Sequence, residues 1–373
     1  MKLQFKKNDL IESINIVSKA VPSKTTMSIL ECILLDASNG KIELMANDTE
    51  FGIETECEGN ILVPGKVALE AKLFSEIIRR LPQDNDIEVT IETDERNNAV
   101  ISCENSIFKI AGRDGNEFTV LPKIDRNQSI SLSQFTLKNV INQTIFSIAL
   151  NDSNKKMTGE LFEVKEDNFT VTSLDGHRIS IRRTKLNDKY PDAKAIVPGK
   201  ALSEISKILT GGVYDEVVLS FSSNHIMFEF NNTVVVTRLI DGEYFHVAQM
   251  LSEDYETKVQ VNRRKLLDCI ERSTIFVRDN DKQPLVLKIE DNVLGLKINT
   301  DLGTMDAEVA INKTGNDLMI GFNPRFLVDA LRSIEDEEVS IYMSIPRSPC
   351  FIRDDKETYT YMILPVNFNA DAV

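Results

Sequence analysis

The chain has 373 residues, 42% of them hydrophobic, which is enough for two or three soluble globular domains with ample cores. Its formal net charge of −15 and sequence pI near 4.9, taken as whole-chain averages, argue against nucleic acid and anionic membranes as partners. No apolar run approaches the roughly 20 residues that span a bilayer. The opening residues MKLQF predict a strand and not a signal peptide, so we expect a cytoplasmic protein without membrane contact.

The cysteines and histidines argue against a disulfide framework and against a local metal or catalytic motif. The five cysteines are scattered, odd in number and never spaced as C-x-x-C, which predicts reduced thiols in the core. The three histidines lie far apart. Residues 59–66 approach a phosphate loop, but the gap is one residue too long and Val67 stands where Ser or Thr would ligate magnesium. We therefore expect no cofactor, no metal and no catalytic residue, and a protein that acts by binding.

Each third of the sequence opens with a predicted strand and helix. These openings are LQFKKNDLIESINIVSKAV at residues 3–21, ISLSQFTLKNVINQTIFSIA at 130–149 and VQVNRRKLLDCIERSTIFV at 259–277. Each is followed by two predicted alternating strands around a turn: LECILLDASNGKIELMA, LFEVKEDNFTVTSL and LVLKIEDNVLGLKI. Further strands close each third, most regularly in residues 217–240.

A second motif follows these strands and gives the length of the repeat. The order of strand, tight turn, amphipathic helix and strand is predicted at residues 61–91, 195–219 and 318–341. In the first copy, the Pro64-Gly65 turn is interpreted as the connection from strand to helix. Glu76, Glu204 and Asp329 hold matching positions, about 125 to 128 residues apart, which is far longer than a solenoid repeat. The sequence therefore predicts one domain repeated three times.

The repeated helices have an apolar and a cationic face. The helical period predicts burial of Leu73, Phe74, Ile77, Ile78, Leu81, Leu202, Ile205, Leu209, Phe326, Leu327, Ala330, Leu331 and Ile334. On the opposite face, positions i, i+4 and i+7 carry cation, carboxylate and cation in every copy: Lys72, Glu76, Arg79; Lys200, Glu204, Lys207; and Arg325, Asp329, Arg332. One interpretation is an intrahelical salt-bridge ladder worth a few tenths of a kcal/mol per pair. The other is a basic surface that the three copies share.

Two polar stretches without periodicity predict the domain boundaries. They lie near residues 122–127 and 252–257, and the predicted domains are residues 1–124, 128–252 and 256–373. Two helices cannot cover both faces of about eight strands. We therefore expect an α+β fold of three similar domains, each with two helices on one side and antiparallel sheets on the other.

Taken together, these features resemble the bacterial DNA polymerase III beta subunits, the family of replicative sliding clamps. The resemblance rests on the threefold repeat, the opening MKLQFKKNDLIESINIVSKAV, and the stretches TSLDGHRIS, TRLIDGEYF and YMILPV, and it covers essentially the whole chain. It implies the DNA clamp fold: a head-to-tail homodimeric ring with helices on the inner side, sheets on the outer side and double-stranded DNA in the hole. The implied function is that of a non-catalytic processivity factor in the DNA polymerase III holoenzyme.

The resemblance places the cationic helix face against DNA. An acidic chain can hold DNA without reading its sequence if its carboxylates face solvent and its cations meet the phosphates. The implied DNA-facing residues are Lys24, Lys72, Arg79, Arg80, Lys138, Lys200, Lys207, Arg264, Arg325 and Arg332. Lys24 matches an arginine in the family pattern, so the charge is kept but the forked guanidinium is not.

The resemblance also implies a dimer interface between edge strands of domains one and three. The matching stretches are residues 106–111 and 300–308. The implied interface residues are Phe108, Lys109, Ile110, Ile275, Phe276, Val277, Asp306 and Glu308. Phe108 and Ile110 are expected to be apolar anchors, with Lys109 facing Asp306 or Glu308 in a rim pair of little energy.

A partner cleft is implied between domains two and three. It would take short peptides containing leucine and phenylalanine from the polymerase III alpha subunit, the clamp loader and other DNA-processing proteins. The implied cleft residues are Met157, Leu174, Gly176, His177, Arg178, Ile179, Phe245, Met250, Asn323, Phe326, Cys350, Met362, Leu364, Pro365 and Val366. The sequence departs from the family pattern at Phe245, which replaces proline, and at Asn367, which replaces arginine. Residues 369–373 extend past the usual end and are candidates to cover part of the cleft.

Two other classes of protein remain open at this point. An enzyme with a dispersed active site would need titratable groups that converge only in the fold. An acidic three-repeat scaffold or DNA mimic would bind its partners without encircling DNA.

Overall fold

The computed structural model describes residues 1–82, 87–278 and 283–368. Within these ranges, no helix combines the length and the apolar character needed to cross a membrane. The chain forms two compact units: unit 1 comprises Met1–Leu137 and Glu204–Leu239, and unit 2 comprises Lys138–Ser203 and Ile240–Val373. Each unit therefore contains residues from more than one predicted domain.

The helices and strands follow the predicted repeat. Residues 1–124 contain α1 (Lys7–Val17), α2 (Ala71–Arg80), β1 (Lys2–Lys6), β2 (Cys32–Asp36), β3 (Glu43–Asn47), β4 (Phe51–Glu56), β5 (Asn60–Val63), β6 (Lys66–Glu70), β7 (Glu88–Thr93), β8 (Ala99–Cys103), β9 (Ser106–Ile110) and β10 (Gly112–Asp114). Residues 128–252 contain α3 (Gln134–Asn142), α4 (Gly199–Ile208), β11 (Ser129–Ser133), β12 (Gly159–Leu174), β13 (Arg178–Pro198), β14 (Glu216–Phe221), β15 (His225–Phe230) and β16 (Thr233–Arg238). Residues 256–373 contain α5 (Arg263–Ser273), α6 (Pro324–Ser333), β17 (Thr257–Asn262), β18 (Leu285–Glu290), β19 (Val293–Thr300), β20 (Gly303–Ala310), β21 (Asn312–Gly315), β22 (Leu318–Phe322), β23 (Glu338–Met343), β24 (Cys350–Arg353) and β25 (Tyr359–Ile363).

Side-chain caps fix where the repeated helices begin. The Glu70 carboxylate accepts hydrogen bonds from the backbone N–H groups of Lys72 and Leu73, at 3.0 and 2.7 Å, at the start of α2. The Asn323 side chain accepts one from the Arg325 N–H at 3.0 Å at the start of α6, where a proline occupies the first turn. These N–H groups have no partner inside the helix, so a cap removes the cost of leaving them unpaired.

The predicted apolar face of these helices is confirmed with one exception. Phe74 and Ile78 of α2 have no exposed surface, and the remaining residues of the face are buried apart from Phe326, which is half-buried. Leu73 was predicted to be buried but is 47% exposed. It precedes Phe74 by one residue and therefore lies about 100° around the helix from it, at the margin of the buried stripe.

Among the described residues, the strands form four antiparallel sheets. Unit 1 contains a five-stranded sheet of order β5-β1-β7-β8-β9 and a nine-stranded sheet of order β10-β6-β2-β3-β4-β16-β15-β14-β11. Unit 2 contains a seven-stranded sheet of order β12-β13-β25-β24-β23-β17-β21 and a four-stranded sheet of order β20-β19-β18-β22. Strands β9 and β20 are therefore both edge strands.

The two largest sheets continue across the predicted domain boundaries. In unit 1, β4 pairs with β16, and Ile53 lies opposite Val235. In unit 2, β13 pairs with β25, and Ser180 lies opposite Tyr361. Backbone hydrogen bonds thus join segments that are far apart in the sequence. Each junction pairs an outer strand of one predicted domain with an outer strand of the next.

The structure corrects two predicted connections. The Pro64-Gly65 turn joins β5 to β6, and the helix begins only after β6, at Ala71; the turn is not a strand-to-helix connection. The stretch 161–174 was predicted as two strands around a turn but lies in the single strand β12, with an irregular register around Glu166 at φ 50°. The long strand β13 pairs along both halves of β12, which keeps the chain extended through the irregularity.

One carboxyl group in unit 2 is buried without a hydrogen-bond partner. Glu160 of β12 has no exposed surface, and neither of its carboxylate oxygens has a partner in the described structure. The nearby Thr144 hydroxyl donates to the Val140 carbonyl at 2.8 Å. Burial raises the pKa of Glu160 well above its usual range, and Thr144 opposes that rise only in part.

We predict that Glu160→Gln stabilises the protein in a pH-dependent way. The raised pKa means that folded Glu160 must stay protonated, so wild-type stability is lost as the pH rises above the unfolded-state pKa. The unfolding midpoints of variant and wild type should coincide near pH 4 and differ by roughly a few degrees near pH 8, with the variant higher. Thermal unfolding across this pH range measures the difference.

Glu163→Gln on the same strand is the matched control. Partial burial tends to raise the pKa of Glu163, but hydrogen bonds from Lys194 and Lys165 outweigh this and lower it. Its replacement should therefore give no gain at alkaline pH. A constant difference between Glu160→Gln and wild type at every pH would contradict a protonated Glu160.

Candidate functional site

A cation occupies the second residue of each repeated helix. Lys72, Lys200 and Arg325 hold this position in α2, α4 and α6, and all three are exposed. The N-terminal end of a helix is the positive end of its dipole, so a cation there costs about 0.3–1 kcal/mol at an exposed site. A charge that opposes helix stability in three copies is typical of a position kept for binding an anion.

The carboxylate of the repeat is paired differently in the third copy. Glu76 contacts Arg79 and Arg80 at 2.9 and 3.2 Å, and Glu204 contacts Lys207 at 2.7 Å, so intrahelical ion pairs form in the first two copies. In α6, Asp329 instead contacts Arg178 at 2.7 Å. Arg332 of the same helix contacts Glu271 of α5 at 2.8 Å. The ladder interpretation therefore holds for two helices and fails for the third.

All of the predicted DNA-facing residues lie in the described part of the chain. Unit 1 contains Lys24, Lys72, Arg79, Arg80 and Lys207, and unit 2 contains Lys138, Lys200, Arg264, Arg325 and Arg332. Every one is exposed except Lys138, which is half-buried on α3, and Lys24 lies outside the helices and strands.

The predicted partner-cleft residues all lie in unit 2. Leu174, Ile179 and Met362 are buried in one apolar cluster, and the half-buried side chains of Met157, Phe245 and Leu364 pack against it. Phe326 packs against the neighbouring core cluster around α5 and α6. The predicted cleft residues come from six separate stretches of sequence within unit 2.

A tight turn between β12 and β13 forms one part of this surface. The Asp175 carboxylate accepts hydrogen bonds from the N–H groups of His177 and Arg178 at 3.0 and 3.1 Å. Gly176 has φ +84° and open space around the position of a Cβ atom. The His177 ring stacks on Phe326 with centroids 6.2 Å apart, and its carbonyl accepts a hydrogen bond from the Leu364 N–H at 2.9 Å.

Arg178 is almost fully enclosed at the base of this turn. Its Nε donates to Asp175 at 3.0 Å, its Nη1 to Asp329 at 2.7 Å and its Nη2 to the Phe146 carbonyl. The guanidinium also lies over the rings of Phe326 and Phe146, 4.4 and 5.3 Å from their centroids. Only 10% of the side chain is exposed.

The remaining cleft residues differ in their accessibility. Met250 is exposed, Pro365 and Val366 are half-buried, and Asn323 is the cap of α6. Cys350 corrects the prediction: it has no exposed surface and belongs to the core cluster, so its thiol cannot line an open groove. Residues 369–373, the suggested cover of the cleft, lie outside the described residues.

The predicted interface residues lie on or beside the edge strands β9 and β20. Phe108 and Ile110 are half-buried and Lys109 is exposed on β9, while Asp306 and Glu308 are exposed on β20. Beside them, Ile275 is 74% exposed and Phe276 and Val277 are half-buried.

The sequence reasoning missed Ile107, which is 65% exposed, and Met305, which packs half-buried on the core beneath β20. Side chains alternate between the two faces of a strand, and this alternation along β9 and β20 was the signal that could have identified Ile107 and Met305.

The described residues contain no group of three or more His, Cys, Asp or Glu placed to hold a metal ion. All five cysteines are buried and unpaired, as predicted. Burial raises the pKa of Cys57 to about 11 and that of Cys350 to about 12. These thiols are therefore structural groups and not nucleophiles at neutral pH.

Comparison with known proteins identifies the family. Models of the DNA polymerase III beta subunit match the chain in order: the N-terminal domain over residues 1–122, the central domain over 131–246 and the C-terminal domain over 248–367. The beta sliding clamp of Staphylococcus aureus is 30% identical, over 98% of this chain and 99% of that protein.

Solved structures agree with this family and with its fold. A putative DNA polymerase III beta subunit from Eubacterium rectale is 56% identical with a TM-score of 0.95, over 99% of this chain and 100% of that one. The sliding clamp of Bacillus subtilis is 28% identical with a TM-score of 0.94 over the same shares. The expected three-domain clamp fold of helices and antiparallel sheets is confirmed. The chain belongs to the DNA polymerase III beta-subunit family of bacterial sliding clamps, the non-catalytic processivity factors of DNA replication.

Proposed function

We propose that two copies of this chain join head to tail in a closed ring that surrounds duplex DNA in the cytoplasm. The ring slides along the duplex and tethers the polymerase and other DNA-processing proteins to it. The single observation that carries this proposal is that β9 and β20, which hold the places of β16 and β4 in the repeat, lie at sheet edges of the described structure, whereas β16 and β4 pair with each other.

The sheet junctions inside the chain indicate how these edges are used. Strands β9, β16 and β25 each end a series of paired strands within their own predicted domain. Strand β16 pairs with β4, and β25 pairs with β13, so each of these two has a partner from the preceding domain. Only β9 lacks such a partner within the described residues. We infer that its partner is β20 of a second copy, and a heterologous contact of this kind that closes forms a ring.

The observed β4–β16 pairing also gives a register for the intermolecular contact. Glu104 and Asn231, both with φ 48°, hold matching turn positions before β9 and β16, which aligns Phe108 with Val235. The turn before β4 is closed by a hydrogen bond from the Asp48 N–H to the Phe51 carbonyl, and the turn before β20 by the pair Thr300–Gly303. Matching these two turns aligns Ile53 with Met305. Since Val235 lies opposite Ile53, Phe108 of one copy is expected opposite Met305 of the other.

This register accounts for the other proposed interface residues. Lys109 then lies diagonally across from Asp306, within reach of a rim ion pair worth about 0–1 kcal/mol. Phe108 and Met305 supply apolar burial, at about 25 cal/mol per Å² removed from water. The apolar contact is therefore expected to dominate the stability of the dimer.

We predict that Phe108→Asp converts the dimer to monomers. A ring of two copies contains this contact twice. The variant therefore loses two apolar anchors and buries two charges, and both changes lower the stability of the dimer. Sedimentation velocity at micromolar concentration measures the change. Val63→Asp is the control, because Val63 is also an apolar residue of an edge strand but lies on β5, the opposite edge of the same sheet, where it is 48% exposed. Intact dimers of Phe108→Asp would place the interface elsewhere.

The cations at the helix starts support the proposed contact with DNA. Duplex DNA carries about one negative charge per 1.7 Å, so a few loosely placed cations can hold it without reading the sequence. The carboxylates of Glu76 and Glu204 already neutralise part of the positive charge of their helices. Contacts of this limited strength are suited to a ring that must slide.

We predict that the Lys72→Glu, Lys200→Glu and Arg325→Glu triple variant loses DNA affinity without a comparable loss of stability. DNA affinity should fall and its dependence on log salt should flatten by about one for each phosphate contact removed. Thermal stability should change little, because a gain of about 0.3–1 kcal/mol from each carboxylate at a helix N-terminus is offset by repulsion from the carboxylate four residues later and by loss of the Arg325 hydrogen bond to the Val277 carbonyl. Fluorescence anisotropy with a duplex and thermal unfolding measure the two effects.

The control for this experiment changes charge equally on another surface. Lys165, Lys185 and Lys189 are exposed on β12 and β13, where they pair with nearby carboxylates. Their replacement by glutamate should leave the salt dependence of DNA binding close to that of wild type. Equal losses in both triple variants would indicate a general charge effect and would contradict a DNA-facing role of the helix starts.

The apolar surface of unit 2 supports the proposed binding of partner peptides. Two apolar side chains such as leucine and phenylalanine, each worth about 1.5–3 kcal/mol when buried, supply at most about 6 kcal/mol before the cost of ordering the peptide, which corresponds to a Kd of about 40 μM or weaker. The polymerase III alpha subunit and the clamp loader are the proposed sources of such peptides. Phe245 adds an aromatic side chain to this surface at the position of the family's proline, so its peptide preference is expected to differ from that of other members.

A topological test distinguishes a ring from an acidic scaffold that binds DNA or its partners without encircling. A clamp loaded on nicked circular duplex should withstand high salt and be released once the circle is cut. Gel filtration of labelled protein with DNA before and after linearisation measures this release. Retention that does not depend on whether the DNA is circular or linear would favour the scaffold.

A further inference from the structure

We propose that Asp329 is a positioning residue of the partner cleft, acting through Arg178 on the turn between β12 and β13. This inference rests on the proposed peptide-binding function of that cleft. Its carboxylate fixes the guanidinium that holds the turn in place.

The hydrogen bonds of Arg178 leave it little capacity to contact a ligand. Its donors reach three different segments: the turn itself at Asp175, the segment after α3 at the Phe146 carbonyl, and α6 at Asp329. The rings of Phe146 and Phe326 lie against its planar guanidinium. Only 10% of the Arg178 side chain is exposed, and its forked guanidinium already donates to these acceptors. Arg178 therefore connects the three segments and does not bind a peptide carboxylate.

Asp329 departs from the pairing of its repeat positions. Glu76 and Glu204 pair with cations on their own helices, whereas Asp329 pairs with a residue from a distant strand at 2.7 Å. The third copy thus uses the same helix position for a contact between elements. The repeat therefore supplies two internal controls, in which the equivalent carboxylate has only a local partner.

The Asp329–Arg178 contact adjoins residues that form the surface of the cleft. Phe326 lies three residues before Asp329 on α6, so its ring and the Asp329 carboxylate occupy the same side of the helix. His177, next to Arg178 in the turn, stacks on that ring and accepts the hydrogen bond from Leu364. Loss of the Asp329–Arg178 contact is therefore expected to loosen the turn, the stacked His177 and the Leu364 segment together.

The test compares Asp329→Asn with Asp329→Glu and with the repeat controls Glu76→Gln and Glu204→Gln in the full chain. Two measurements are made on each: hydrogen–deuterium exchange of the amides in residues 174–179, and the Kd of a fluorescein-labelled synthetic peptide whose apolar side chains are leucine and phenylalanine. For Asp329→Asn we expect faster exchange in the turn and a Kd about tenfold higher, equivalent to about 1.4 kcal/mol. Asp329→Glu, which keeps the carboxylate, should retain most of the affinity, and the repeat controls should match wild type.

Thermal unfolding separates this role from general stability. Asp329→Asn should unfold within about 2 °C of wild type, because its effect is confined to one partly exposed contact. Turn amides that exchange at the wild-type rate in Asp329→Asn, a Kd within about twofold of wild type, or equal weakening by the repeat controls would each overturn the proposal. A wild-type chain that binds no such peptide would contradict the proposed cleft function, while the exchange rates would still decide whether Asp329 holds the turn.

Discussion

The hydrogen-bonding requirement of edge strands is the constraint on which the rest of this chain depends. An outer strand exposes a row of N–H and C=O groups that invites another strand. Within each unit this requirement is met by joining segments of different predicted domains, β4 with β16 and β13 with β25. Within the described residues, β9 and β20 hold the repeat positions of β16 and β4 but lie at open sheet edges. In the proposed dimer, β9 of each copy pairs with β20 of the other, so neither edge stays open. This contact is the same kind of strand pairing that joins the predicted domains within one chain.

The charge distribution explains how a chain of net charge −15 can be suited to DNA. Net charge describes the whole surface, whereas binding depends on the charges on the face that meets the ligand. The cations at the starts of α2, α4 and α6 oppose the helix dipole, and Arg325 also donates a hydrogen bond to the Val277 carbonyl at 3.3 Å. The same repeat shows how one position can be adapted, because the carboxylate that pairs locally in α2 and α4 is used in α6 to connect separate segments.

Much of the fold was predictable because helix period, strand alternation and the repeat gave the same answer. The apolar face of α2 was correct from Phe74 to Leu81, where several residues reinforce one stripe, and wrong at Leu73 on its margin. The strand β6 and the unbroken course of β12 were missed because both are fixed by pairing with other strands, β2 and β13, which local propensity does not contain. For the cleft, the resemblance supplied residue positions, but not the complete burial of Cys350 or the partner of Asp329. These depend on which elements the fold packs together.

The burial of every cysteine has a practical consequence for the study of this clamp. Thiol reagents require both access and a thiolate, and the native side chains offer neither, since all five are buried and the pKa of each is raised by burial. A single cysteine introduced on the surface would therefore be alkylated alone, without removal of the native ones. Maleimide dyes or spin labels attached in this way would report distances between subunits in an otherwise unaltered chain.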